Sequence, residues 1–67
     1  MKLYKWKVEF RKSFTGDKVI VDIISSAEFD IIQRLAWREF IKNYGEEYTK
    51  GFFIISFYAL YEVWYEK

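Results

Sequence analysis

Gly51-Phe52-Phe53-Ile54-Ile55-Ser56-Phe57-Tyr58-Ala59-Leu60-Tyr61-Glu62-Val63-Trp64-Tyr65 is aromatic and β-branched almost throughout, a composition that favours an extended strand. Taken with period two, the odd positions Phe53, Ile55, Phe57, Ala59, Tyr61, Val63 and Tyr65 make an apolar core face. The even positions Phe52, Ile54, Ser56, Tyr58, Leu60, Glu62, Trp64 and Glu66 make a mixed face of large side chains, a hydroxyl and two carboxylates. A strand that is apolar on both faces is normally covered on both. A chain of 67 residues has little material for a second cover. The strand is therefore expected to keep one face open for a partner, or to overhang, bend at a bulge or pair with another chain.

The rest of the composition narrows the function classes. The length fits one small α+β domain over residues 1–67. Cysteine and histidine are absent, which removes disulfides, thiolate nucleophiles, imidazole bases and Cys/His metal sites. No cofactor is expected. The net charge of +1 gives little long-range steering toward a duplex. Charge is uneven, however: Lys2, Lys5, Lys7, Arg11, Lys12 and Lys18 crowd the first part of the chain, and acid collects at Glu46, Glu47, Glu62 and Glu66. No leader-like run opens the chain, and residues 52–61 are too few to span a bilayer as a helix. A cytoplasmic protein without membrane contact is the expectation.

Residues 3–12 alternate, with Tyr4, Trp6, Val8 and Phe10 on one side and Lys5, Lys7, Glu9 and Arg11 on the other. A second strand over 18–24 turns Val19, Val21 and Ile23 inward and Ile20, Asp22 and Ile24 outward. Gly16-Asp17 suits a two-residue hairpin loop. That loop sets Arg11 opposite Asp22, Phe14 opposite Val19 and Phe10 opposite Ile23, with Lys12 at the rim of the inner face. Ser25-Ser26-Ala27-Glu28 reads as a capping box opening a helix over about 26–44, which Gly45 stops in a left-handed conformation. Phe29, Ile32, Ala36, Phe40 and Tyr44 form the inward stripe, and Leu35 widens it. Asp30, Arg34, Arg38 and Lys42 form the opposite ridge, with Trp37 and Ile41 half exposed between the two. Glu46 to Lys50 is a polar connection.

The element order β-β-α-β predicts one antiparallel or mixed three-stranded sheet with the helix on one face. A right-handed crossover gives strand order 2-1-3; order 1-2-3 would need a parallel pair. The uncovered face then carries Ile20, Ile24, Phe52, Ile54, Tyr58, Leu60 and Trp64 as a candidate protein interface, with Tyr58 and Trp64 as anchors. Lys5, Lys7 and Arg11 stand beside them as rim residues. Arg34, Trp37, Arg38 and Lys42 form a second basic patch on the helix.

No carboxylate falls in an acid/base, nucleophile or metal spacing, and no glycine-rich phosphate loop is present, so the chain does not read as an enzyme. In general style it resembles the small proteins carried by phages and other mobile elements, anti-CRISPR inhibitors among them: one short domain, many rings, no catalytic residues. The resemblance rests on no particular residue. It implies a viral protein-binding inhibitor that occupies a surface of a host nucleic-acid-processing complex. A homodimer is the simpler way to bury the same patch. The alternative function is a small homodimeric protein that binds single-stranded nucleic acid, with Lys5, Lys7 and Arg11 on phosphates and the strand rings on bases.

Overall fold

The computed structural model describes residues 2–63. Strand β1 (Leu3–Lys12) lies in the centre of a three-stranded sheet, flanked by β2 (Lys18–Ser25) and β3 (Phe52–Val63), in the order β2-β1-β3. Both pairings are antiparallel. Helix α1 (Phe29–Tyr44) covers one face, and a single turn, α2 (Glu46–Thr49), leads into β3. This is the expected α+β architecture and strand order; the sheet is antiparallel throughout. Trp64, Tyr65 and Glu66, assigned above to the last strand, lie outside the described residues.

The core follows from alternation on β1 and β2. Val8 and Phe10 meet Val21 and Val19 across the ladder, and Trp6 meets Ile23. Ile32, Ala36 and Phe40 of α1 close over them, and Phe52 of β3 completes the cluster. Phe10 and Phe40 are fully buried with centroids 4.6 Å apart. Each such ring contributes about 1.5–3 kcal/mol by leaving water. Ala36 is fully buried, so the helix approaches the sheet closely at that point.

The hairpin register differs from the one read in the sequence. Lys7, not Arg11, stands opposite Asp22; Arg11 stands opposite Lys18, and Phe10 opposite Val19. The expected register would have placed Lys12 opposite Val21 and left Tyr4 and Trp6 beyond the end of β2. The observed one pairs every inward residue from Trp6 to Phe10 with an apolar partner and keeps Lys12 at the edge, its Nζ 5.8 Å from the centre of the Phe52 ring. An exposed cross-strand ion pair contributes a few tenths to about 1 kcal/mol, less than burying one large side chain. The turn is correspondingly longer. Phe14 sits in it at φ 71, fully exposed, instead of facing Val19.

The helix starts later than the capping box implied. Ser25 remains in β2, 2% exposed, with its Oγ donating to the Ser26 carbonyl. Glu28 is the N-cap with no side-chain cap bond; its carbonyl accepts from the Ile31 and Ile32 amides. Gly45 ends α1 at φ 88 and ψ 151, outside the left-handed helical region, and its amide donates to Ile41 O. Phe29 and Tyr44, at the two ends of the expected inward stripe, are 58% and 48% exposed. Asp30 and Arg34 are not among the ion pairs of the described residues, which join Glu9 to Arg11 and Lys18, and Glu47 to Lys50.

Strand β3 is where strict alternation fails. Its twelve residues pair with the ten of β1, and two bulges absorb the difference, at Ile55 between the Glu9 and Phe10 pairings and at Leu60 between the Lys5 and Trp6 pairings. Each bulge shifts the phase by one. Phe52 and Ile54 therefore face the helix, as do Phe57 and Ala59, while Phe53, Ser56, Tyr58 and Tyr61 lie on the other side beside Arg11, Glu9, Lys7 and Lys5.

Candidate functional site

Two surfaces result, and they meet along the free edge of β3. The first is concave. Helix α1 packs more closely on β2 than on β3. The gap is a groove of about 330 Å³ lined by Phe29, Gln33 and Trp37 of the helix and by Phe53, Ile54, Ile55, Ser56 and Phe57 of the strand. Phe29 stacks on Phe57 with centroids 5.1 Å apart. The Trp37 ring lies 4.7 Å from that of Phe10, which fixes the inner wall. Gln33 and Ser56 are the polar side chains of the lining. A mostly apolar cleft with a few polar groups is the usual build of a binding site.

The second surface is the uncovered face of the sheet, ordered by the two registers into rows. Lys18, Arg11 and Phe53 form one row; Ile20, Glu9 and Ser56 the next; then Asp22, Lys7 and Tyr58; then Ile24, Lys5 and Tyr61. Each β3 ring on this face has a cation as its direct neighbour on β1. Phe53, Tyr58 and Tyr61 are each about half exposed. Glu9 is held by Arg11 at 3.3 Å and by Lys18 at 3.9 Å.

The residues expected to form a protein interface are thus divided. Ile20, Ile24 and Tyr58 lie on the uncovered face as expected and are 46%, 44% and 49% exposed. Leu60 is exposed at the second bulge. Phe52 is instead 7% exposed in the core, and Ile54 is half-buried against it in the groove, because the first bulge reverses the phase before Ser56. Trp64 falls outside the described residues. Lys5, Lys7 and Arg11 share the uncovered face. Arg34, Arg38 and Lys42 are exposed on α1; Arg38 also lines a shallow cleft with Lys5, Asp22 and Ile24. Trp37 does not join them; it packs on Phe10 and Phe40.

Phe29, Phe53, Ile55 and Tyr61 were missed as surface residues. The mismatch between a twelve-residue strand and its ten-residue partner is the signal that could have found the last three, since it requires bulges. Among the described residues, no group of three or more acidic side chains is placed to hold a metal ion, and no helix is long and apolar enough to cross a membrane. No protein-family model, curated protein or solved structure matches the chain.

Proposed function

We propose that the protein is a non-catalytic protein-binding module that takes an apolar segment of a larger partner into the groove between α1 and β3. One observation carries the reading. The described chain leaves Phe29, Phe53 and Ile55 half exposed around a cleft already walled by Trp37 and Phe57. Large rings in a pocket that a partner can desolvate supply most of the energy of a protein interface. Occupying a working surface of a host nucleic-acid-processing complex, as small phage-borne inhibitors do, is the role this mode of binding would serve. A second copy of the chain is the simplest alternative occupant.

Affinity capture from a cell lysate with the wild-type protein and Phe29→Asp side by side tests the groove. A partner retained by the first should be lost by the second, with affinity falling about thirtyfold or more. Phe29 is 58% exposed, so the variant should stay folded. Sedimentation at micromolar concentration, with and without Phe29→Asp, identifies the second copy if that is the occupant. A partner that binds both proteins equally would remove the groove from the interface.

A further inference from the structure

We infer that the uncovered face of the sheet is a platform for single-stranded nucleic acid, centred on Tyr58 and Tyr61 and sharing only Phe53 and Ser56, at the edge of β3, with the apolar groove. Interleaved carboxylates would ordinarily argue against phosphate binding on such a face. The registers show where those carboxylates go. Glu62 stands opposite Tyr4, in the row that faces the helix side. Asp22 lies on β2, the strand farthest from the rings. Glu9, the remaining one, is opposite Ser56 and not opposite a ring, and two cations already hold it. The face therefore carries four cations, Lys5, Lys7, Arg11 and Lys18, against two carboxylates, Glu9 and Asp22, an excess of two positive charges.

The rings complete the arrangement. Tyr58 and Tyr61 are opposite Lys7 and Lys5, which are two residues apart on β1, so the two rings repeat about every 7 Å along the sheet. The second bulge keeps them on one face; without the extra residue at Leu60, positions 58 and 61 would point to opposite sides. Phe53 lies further along the same column, opposite Arg11. Bases stack on exposed rings whatever their sequence, and cations alongside follow the phosphates. A row of rings, each with a cation next to it, is the surface that such a strand requires. Phosphate charge complements this face, whereas its apolar content is too interrupted by charge to match the groove as a protein contact.

Fluorescence anisotropy with labelled oligothymidylate and labelled oligouridylate, at about 50 mM and about 200 mM salt, tests the inference. Binding at the lower salt should weaken on raising it with a log–log slope of about −2, corresponding to three neutralised phosphates at roughly 0.7 each. Replacing Tyr58 and Tyr61 together by Ala should lower affinity about tenfold or more. Tyr58→Leu with Tyr61→Leu, which keeps apolar bulk on the strand, should show the same loss. Lys5→Gln with Lys7→Gln should flatten the slope by roughly 1.4. Arg34→Gln with Lys42→Gln, on the exposed ridge of the helix and outside the cleft that Arg38 shares with Lys5 and Asp22, should change neither quantity. Phe29→Asp should bind nucleic acid as the wild type does, which keeps this outcome separate from that of the groove. Preference for either oligonucleotide supports the platform and tells DNA from RNA. No binding at the lower salt, ring variants that bind like the wild type, or helix variants that lose as much as the sheet variants would each overturn it. So would a protein partner that depends on Tyr58 while oligonucleotides are ignored.

Discussion

Phe14 is the residue whose local conformation and surroundings agree least. A bulky side chain at φ 71 is unfavourable, and left-handed backbone costs a residue other than glycine roughly 1–2 kcal/mol. Full exposure of the ring means that no burial offsets the cost. Phe14→Gly should therefore stabilise the fold by about 1 kcal/mol, or roughly 4–8 °C in Tm for a domain of this size. Thermal denaturation followed by circular dichroism reads the shift. A lower Tm would mean that the ring holds the hairpin through a contact that the isolated chain does not display. Phe40 is the opposite case, fully buried between Phe10, Trp37, Tyr44, Tyr48 and Phe52. Phe40→Ala should cost about 3–5 kcal/mol, enough to unfold much of a marginal domain.

At the scale of the element, β3 is an edge strand with no charged residue from Phe52 to Tyr61 and no proline, a composition that invites pairing with another chain. Its protection is the pair of bulges. Antiparallel hydrogen bonding alternates, so the outward-facing polar groups belong to Phe52 and Ile54 before the first bulge and to Phe57 and Ala59 after it, out of step by one residue. A second strand cannot follow that edge without a matching break. Deleting Ile55 and Leu60 together would leave ten residues opposite ten and an unbroken edge, with each remaining side chain on its present face. That variant should sediment as larger species than the wild type at equal concentration. Unchanged sedimentation would show that something other than the bulges guards the edge. The bulges also explain what was legible in the sequence. Alternation on β1 and β2 is regular, so Lys5, Lys7, Arg11, Ile20 and Ile24 could be placed on the open face directly. Phe57, Ser56 and Tyr58, between the bulges, follow the simple period, whereas Phe52, Ile54, Tyr61 and Glu62, outside them, are reversed. No glycine marks position 55 or 60. The groove was not legible, because it depends on how far α1 is set toward β2, which periodicity does not encode.

The whole molecule is elongated, 43 × 19 × 16 Å, with one helix over a sheet too long for it to cover. Its strand order has a consequence in time as well as in space. β1 pairs with β2 across a short turn, but with β3 across forty residues at Lys12–Phe52 and sixty at Leu3–Val63. Closing the longer loop costs more chain entropy before any contact is gained, so the hairpin and helix are expected to assemble first and β3 to dock last. Val21→Ala should then slow refolding, whereas Ile54→Ala should mainly accelerate unfolding. Stopped-flow chevrons separate the two, and an Ile54→Ala variant that refolds as slowly as Val21→Ala would place β3 in the nucleus. Between the two stages, the uncharged stretch of β3 and the edge of β1 that it pairs with are open at once, without the bulged pairing that later keeps other chains away. On that order of assembly, exposure to misassembly is expected to follow the time β3 spends undocked more than the stability of the finished sheet.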